Sequence, residues 1–395
     1  MSFRNIKSRL KTSIENTVFI SCYIFFKLLG LLPESLRNSE SRFAPPNVCV
    51  SSPEGLIYNF GLILTFPVLS YYSIRAMRDS DYPNKSSTTE AFEFFKAVFG
   101  SIIVVILWAL ITQKQRKTVT LANQVMNIDH LLMKDKNIAA PETCLLPCAS
   151  ICAFNMFCWV TLIWTEIVGF DKIQLIILVT EVGPNFIFNW FFILHTFVIM
   201  LLETRVRAVN QGMLRLSKDL RSSIPRTTAG EDKIKSLITL KYAHECLHEV
   251  INEVATLLSV PVFLIIAELA PSIIYDAYYM VIPFLVPSFE FSWVLIANSL
   301  CYLSSQMFPI VTMVVSMDRI TNEMERTAPI VHNLYTRAAL GRIVKSEFKL
   351  LSLKLLHSKI RFTACDVFSL DRTLISSIFS MAVTYLVIII QFQVL

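Results

Sequence analysis

The chain ends in TLISSIFSMAVTYLVIIIQFQVL, which runs from Thr373 to Leu395 and contains no Asp, Glu, Lys or Arg. A helix needs about 20 predominantly apolar residues to cross a hydrocarbon core of about 30 Å. The segment therefore predicts a transmembrane helix. This prediction decides the class of fold in which the rest of the chain is interpreted.

Six further stretches of this length and apolarity precede the last one. The seven cover roughly 55–76, 91–113, 143–168, 173–203, 254–282, 291–317 and 371–394. The composition agrees, because 54% of the residues are hydrophobic and only 17% are charged, against about 25% charged in an ordinary soluble domain. Such a chain is neither disordered nor a small disulfide scaffold, and it has too few charges to cover a soluble enzyme. The sequence predicts an all-α polytopic membrane protein with seven transmembrane helices rather than a soluble enzyme.

The basic residues fall mainly on one side of these spans. Of 36 Lys and Arg, 30 lie in segments 1–54, 114–142, 204–250 and 318–370. By the positive-inside rule these segments are cytoplasmic, so the N-terminus is predicted inside and the C-terminus outside. The loops therefore account for the net charge of +6 without a nucleic-acid partner. The one N-x-S/T sequon places a predicted glycosylation site at Asn84, in an outside loop.

The same pattern divides the chain into four parts. Residues 1–54 are predicted to be a cytoplasmic segment in which 17–33, interrupted by Lys27, form an interfacial helix. Residues 55–317 hold helices one to six, with cytoplasmic helix extensions at 204–253. Residues 318–370 are predicted to form cytoplasmic anchor helices, and residues 371–395 form the seventh helix.

Polar residues recur along one face of that last helix. Hydroxyl and amide side chains in lipid are costly, so this face is expected to meet protein or water. Two interpretations follow: helix–helix packing with the hydroxyls bonded to their own carbonyls, or a pore wall formed by several copies of the helix. The carboxamide of Gln391 favours the pore. The predicted pore and gate residues are Ser377, Ser380, Thr384, Ile388 and Gln391.

The motif His244-Glu245-Cys246-Leu247-His248 has the H-E-x-x-H spacing of a zinc site, with Glu245 as the base. It lies just before the fifth span, so an intramembrane zinc metalloprotease is one alternative function. No acidic motif is found that would supply a third ligand. A charged cytoplasmic helix with two surface histidines explains the motif more simply, so no metal or cofactor is predicted. A G-protein-coupled receptor, a further alternative, requires the opposite topology.

The string TYLVIIIQF, Thr384–Phe392, resembles the C-terminal TYhhhhhQF signature of insect gustatory receptors. The preceding FTACDVFSLDRTL, Phe362–Leu374, is also similar to that family, which often has Gly where Asp366 stands here. In the signature, Thr384 and Gln391 share one helical face, while Tyr385 and Phe392 lie about 100° away and are predicted to pack against neighbouring helices.

The resemblance implies a tastant-gated, non-selective cation channel, assembled as a homotetramer or as a heteromer with other gustatory receptors. The seventh helix would line the pore. The channel would lie among the lipids of the plasma membrane of gustatory neurons, and an insect odorant-receptor-like channel is the nearest alternative.

The resemblance also implies a tastant pocket among the outer halves of spans two to six. Aromatic faces and a few polar groups are what such pockets use, for a sugar as for a bitter compound. The predicted pocket residues of that type are Trp164, Glu181, Asp276, Tyr279, Trp293 and Asn298.

Overall fold

The structure is a computed structural model, and it describes residues 20–38, 47–79, 87–135, 138, 144–169, 176–222, 228–285, 292–337, 342–357 and 359–394. The predicted glycosylation site Asn84 lies outside these ranges. Within them the chain is almost entirely helical, and seven helices are long and apolar enough to cross a membrane, as the sequence predicted.

Eleven helices and two short hairpins follow one another along the described part of the chain. Helix α1 covers 20–28. The strands are β1 (Ser35–Asn38), β2 (Asn47–Val50), β3 (Thr363–Ala364) and β4 (Phe368–Ser369), and each consecutive pair is antiparallel. The remaining helices are α2 (Pro53–Arg78), α3 (Ser87–Lys134), α4 (Leu145–Gly169), α5 (Leu178–Glu181), α6 (Gly183–Ser222), α7 (Thr228–Leu285), α8 (Trp293–Glu325), α9 (Thr327–Arg337), α10 (Arg342–His357) and α11 (Arg372–Val394).

Several helices are much longer than a bilayer is thick. At 1.5 Å per residue, the 58 residues of α7 extend for about 87 Å. The charged segments at the end of α6 and the start of α7 therefore belong to the same helices as the apolar spans. Pro261, Pro271 and Pro283 lie inside α7, where the carbonyl groups left without an amide partner must be satisfied by neighbouring helices.

Helix α6 is the centre of the bundle. In the apolar stretch that would cross the membrane, 72% of the residues are buried for α6, against 22% for α2 and α4 and 11% for α11. Its N-terminal half is rich in aromatic residues, and Phe188, Trp190, Phe191 and Phe192 are all buried. The predicted fourth span, 173–203, is divided in this region. The short helix α5 ends at Glu181, and α6 begins with Gly183-Pro184, where Pro fits because an N–H at this position has no helical partner.

The segment before the first span packs into the bundle. Phe26 of α1 is buried, and Phe25 packs edge to face on Trp190 at a centroid distance of 4.6 Å. Helix α1 is followed by Gly30, whose φ of +72° lies in the left-handed region. A Cβ at Gly30 would come within 2.9 Å of Nε1 of Trp108, so the position requires glycine for space as well as conformation.

Candidate functional site

One narrow face of α11 packs against its own subunit. Leu374 and Ile378, four residues apart, are buried, and Ile375 and Ala382 continue the contact with α7 and α8. The other faces of the helix are open. Phe379, for example, exposes 67% of its surface. A spanning helix that is largely unpacked within one chain is expected to meet lipid, another copy or water.

The predicted polar stripe lies on the open side of α11. Ser377 Oγ donates to the carbonyl of Thr373 at 2.9 Å, and Thr384 Oγ1 donates to that of Ser380 at 2.8 Å. The hydroxyl hydrogens are therefore used within the helix, and the oxygen lone pairs face outward. A surface of outward acceptors suits hydrated cations. The stripe is formed by Ser377, Ser380, Thr384, Ile388 and Gln391, all of them exposed.

The aromatic pair of the signature lies beside this stripe. Tyr385 exposes 51% of its surface, so within one subunit it has little to pack against. Phe392 is the second member, and its side chain lies outside the described part. The role of Tyr385 as a packing residue therefore depends on a neighbouring copy.

A tight turn leads into α11. Cys365 and Asp366 both have positive φ, 51° and 56°, between strands β3 and β4. Asp is one of the few residues that tolerate this region, which explains how it can stand where the resemblance leads one to expect Gly. The turn is fixed to α7 because the amide of Cys365 donates to Ser259 Oγ at 2.8 Å.

Asp371 caps the N-terminus of α11. Its Oδ1 accepts from the amide of Thr373 at 2.8 Å, and its Oδ2 accepts from Ser369 Oγ at 2.8 Å. These hydrogen bonds from Thr373 and Ser369 favour the carboxylate and lower the pKa of Asp371 below its usual value. The carboxylate is therefore ionised at neutral pH, close to the end of the stripe.

A second polar region lies inside the bundle, in the half remote from α9 and α10. We call it the acidic cluster. It is assembled from α3, α4, α5, α7 and α8, and most of its side chains are buried. Its members are Glu93, Lys96, Glu166, Glu181, Glu268, Asp276, Asn298, Tyr302 and Gln306.

Hydrogen bonds tie the cluster to α8. Asn298 Nδ2 donates to Glu166 Oε1 at 2.9 Å, and its Oδ1 accepts from Thr165 Oγ1 at 2.8 Å. About two turns further along α8, Gln306 Nε2 donates to Asp276 Oδ2 at 2.9 Å. Helix α8 therefore carries the amides that hold carboxylates from α4 and α7.

Within the described part of the chain, one ammonium group faces these carboxyl groups. Lys96 interacts electrostatically with four carboxyl groups of the cluster, and its Nζ lies 5.3 Å from the centroid of the Tyr302 ring. On insertion scales, one charge at the centre of a bilayer costs about 2.5–3.5 kcal/mol. The charged groups therefore need one another, or a ligand, to remain in the apolar bundle. The four carboxyl groups are those of Glu166, Glu181, Glu268 and Asp276.

The structure brings four of the six predicted pocket residues to this region and turns two away. Glu181, Asp276 and Asn298 belong to the acidic cluster. Tyr279 packs on Tyr275, whose hydroxyl donates to Glu93 Oε1 at 2.6 Å. The side chains that face outward are those of Trp164 and Trp293, with 61% and 72% exposure.

The two tryptophans show that residue type alone does not determine on which side of its helix a side chain lies. Trp164 is two residues from Glu166 on α4, so the two side chains diverge by about 200°. Sequence reasoning omitted Lys96 and Gln306 from the pocket, although a lysine inside an apolar span was a signal for the first. Gln306 carried no such signal.

The H-E-x-x-H motif does not form a metal centre in the described part of the chain. His244 is buried rather than on the surface, and both its ring nitrogens lack hydrogen-bond partners. The small cavity beside it is lined by Lys354 and two leucines of α10 as well as Glu245 and His248. No group of three or more metal-ligating side chains occurs among the described residues. An ammonium group facing the two histidines opposes a cation, so the zinc metalloprotease is not favoured.

Comparison with known proteins identifies the class to which this fold belongs. A family described as 7tm Chemosensory receptor matches residues 20–395. Two structures of the olfactory receptor OR5 from the insect Machilis hrabei have the same fold, at 11% sequence identity. The complex of that receptor with eugenol has a TM-score of 0.59 and covers 95% of this chain and 98% of the receptor; the other structure has a TM-score of 0.56 and covers 97% and 98%.

The chain belongs to the 7tm chemosensory receptor family and is a multi-pass membrane protein. Among individual relatives it is 34% identical to gustatory receptor 28b of Drosophila melanogaster over 124 residues, which are 30% of this chain and 26% of that receptor. It is 42% identical to gustatory receptor 28a of the same species over 72 residues, 16% of each. The matches span about a quarter and a sixth of the relatives' own lengths. The predicted resemblance to insect gustatory receptors is confirmed.

Proposed function

We propose that the chain is a subunit of a ligand-gated, non-selective cation channel whose pore is lined by α11. The observation that carries this proposal is the open polar stripe of α11, on the side away from the face that packs on α7 and α8. Four copies around an axis would turn these stripes toward one another and enclose a water-filled path. Lipid alone would leave the hydroxyl and amide oxygens without partners.

Gln391 and Ile388 are proposed to form the gate. Gln391 supplies a ring of carboxamides that can hydrogen-bond hydrated ions or one another. Ile388, about one turn earlier, presents an apolar constriction that sheds water when the pore narrows. In this assembly Tyr385 and Phe392 pack between copies. The N-terminus is cytoplasmic and the C-terminus extracellular, as the distribution of Lys and Arg indicates.

The ligand is proposed to be a tastant that binds at the acidic cluster. The C-terminal signature and the partial identity to two Drosophila gustatory receptors support taste rather than smell. The cluster offers carboxylates, amides and tyrosine rings in a buried position, which is the composition of a small-molecule pocket. The proposed tastant is a sugar or a bitter compound, and the proposed location is the plasma membrane of gustatory neurons.

Recording from cells that express this chain alone tests the proposal. A panel of sugars and bitter compounds should evoke cation currents that are absent from mock-transfected cells. Single-molecule counting of fluorescently tagged chains on the same cells should give four per complex. Complexes that contain one chain, or surface-expressed complexes that give no current with any compound and any co-expressed gustatory receptor, would contradict the proposal.

A further inference from the structure

Among the described residues, the acidic cluster contains more acidic than basic side chains. Five carboxyl side chains surround one lysine in a region that is buried within the bundle. Buried charges are normally paired, because each is costly to remove from water. Among the described residues one ammonium group is available to five carboxyl groups, so a buried carboxyl group without a cation must keep its proton. A bound cation can take the place of such a proton, and the cluster therefore has carboxyl groups available to pair with one.

Two buried acceptors in the cluster have no hydrogen-bond partner among the residues that the structure describes. Glu268 exposes only 3% of its surface, and its Oε2 has no donor; Gln306 is fully buried, and its Oε1 has none. A Cβ added to Gly100 of α3 would lie 3.6 Å from Glu268 Oε1, so the carboxyl group sits directly against the glycine. A buried acceptor without a hydrogen bond destabilises the chain, because its loss of water is not compensated. A ligand that donates a hydrogen bond to each of these oxygens would therefore be favoured.

Lys96 is held in the cluster without a contact ion pair. The ion pairs within the described ranges do not include it, and its Nζ lies over the ring of Tyr302 instead. A cation over a tyrosine ring is attracted by the negative face of the ring, and more strongly so when water is excluded. The lysine has a flexible four-carbon stem, so its ammonium can leave this position at little steric cost.

We propose that the acidic cluster recognises an organic cation, a protonated amine attached to an apolar body, and that Lys96 occupies the cation position in the unliganded chain. This inference rests on the proposed function and names the ligand class for it. The N–H groups of the amine donate to Glu268 Oε2 and Gln306 Oε1, and its charge replaces that of Lys96 opposite Asp276. Tyr275, stacked on Phe92 at a centroid distance of 4.5 Å, offers an aromatic surface to the apolar body.

The arrangement distinguishes an amine from other candidates. Sugar hydroxyls would also satisfy the two acceptors but would give the carboxyl groups no cation to pair with. A bare metal ion needs three or more ligating groups that converge, and the described residues contain no such group. The combination of several carboxyl groups, unpaired acceptors and aromatic rings favours an organic cation.

A matched pair of small molecules tests the inference on the purified full-length chain. Phenethylammonium and 2-phenylethanol share one apolar body and differ in charge. We expect the half-saturating concentration, measured from the ligand-dependent rise in melting temperature, to be about tenfold lower for the amine. Lys96→Gln should lower the half-saturating concentration of the amine about tenfold further and change that of the alcohol by less than about twofold. Lys96→Arg retains the internal cation, so both concentrations should match those of the unaltered chain.

Equal half-saturating concentrations for the amine and the alcohol would overturn the inference. This comparison uses the unaltered chain, so it does not depend on the folding of a variant. So would a Lys96→Gln chain whose amine affinity is unchanged. Current recordings on the same pair separate the two proposals. If neutral tastants open the channel and the amine binds no more tightly than the alcohol, the proposed channel function is supported and the amine site is contradicted. Selective amine binding to a chain that never conducts supports the site and defeats the channel.

Discussion

Nη2 of Arg372, the first residue of α11, lies 2.7 Å from Oδ2 of Asp318 on α8. Asp318 follows Gln306 by 12 residues on the same helix, a distance of about 18 Å along its axis. Helix α8 therefore contacts the acidic cluster at one end and the beginning of the polar stripe at the other. We infer that a shift of α8 caused by ligand binding reaches α11 through this ion pair.

Breaking the Asp318–Arg372 pair should weaken the response to ligand. Both side chains are partly exposed, so the pair contributes at most about 1 kcal/mol, which corresponds to about a fivefold change in half-maximal agonist concentration. We expect this increase for Asp318→Asn and for Arg372→Gln. Recordings from Asp318→Arg, Arg372→Asp and the chain with both changes check the assignment. If the double exchange restores no sensitivity, the pair does not couple the two helices.

Gln391 should control permeation. Gln391→Glu places a ring of carboxylates at the proposed gate, so we expect a shift of reversal potential toward cation selectivity; Gln391→Ala removes the hydrogen bonds of the closed ring and should raise leak current. Leu386→Met, on a different face of α11, is the control and should leave both quantities unchanged. Unaltered permeation and leak in both Gln391 variants would remove Gln391 from the gate.

The outward lone pair of Thr384 should assist conduction. Thr384→Val keeps the branched shape of the side chain but removes the hydroxyl, with its hydrogen bond to the carbonyl of Ser380 and its outward acceptor. Single-channel conductance should therefore fall at least about twofold with little change in surface expression. Thr384→Ser retains the hydroxyl and is the matched control. Equal conductance in the valine and serine variants would show that the hydroxyl serves only the helix backbone.

Asn298 should be essential to the acidic cluster. Asn298→Leu removes one hydrogen bond from Glu166 and one from Thr165, whose hydroxyl keeps its bond to the carbonyl of Leu162. We expect the fold to lose about 1–3 kcal/mol and the ligand response to be abolished. Ile167→Leu on the outward face of α4 is the control, with stability and response intact. Melting curves and currents of Asn298→Leu that match those of the unaltered chain would contradict this role.

Glu34 should make stability depend on pH. Burial raises its pKa from 4.5 to about 7, although Lys27 partly opposes this. The folded state therefore retains the Glu34 proton over a range in which the unfolded state has lost it. Stability should fall as pH rises from 4.5 to about 7, by up to about 3 kcal/mol, and stay level above that range.

Melting temperatures of the unaltered chain and of Glu34→Gln, measured from about pH 4.5 to about pH 8, check this expectation. The glutamine variant is neutral throughout, so it should lack the fall and be the more stable of the two at the alkaline end. Parallel pH profiles for the two chains would show that Glu34 does not titrate in this range.

The course of the membrane helices could be predicted from the sequence because apolar length is a local property. The charge-free stretch that begins at Thr373 indicates a span by itself, and α11 follows it closely. The turn at Asp366 was harder to predict, because strands of only two residues are too short to show a periodic pattern in the sequence. The resemblance to a family with Gly at that position was its only signal.

The composition of the acidic cluster could not be predicted in the same way. It joins residues from five helices, and their rotation about their own axes depends on packing rather than on local sequence. Lys96 and Glu268 were visible as charges inside spans. The choice of Gln306 over Trp293 on α8 depends on which side of that helix meets α7, and hydropathy does not specify it.

Cysteine accessibility along α11 tests the central claim most directly. Ser380→Cys, Thr384→Cys and Gln391→Cys are introduced singly, and a charged, membrane-impermeant thiol reagent is applied during agonist-evoked current, with the unaltered chain as the control for native cysteines. If α11 lines the pore, the reagent reduces the current through each variant and spares the control. Current that persists in all three variants, with the reagent shown to reach the introduced thiols, would contradict a pore lined by this helix.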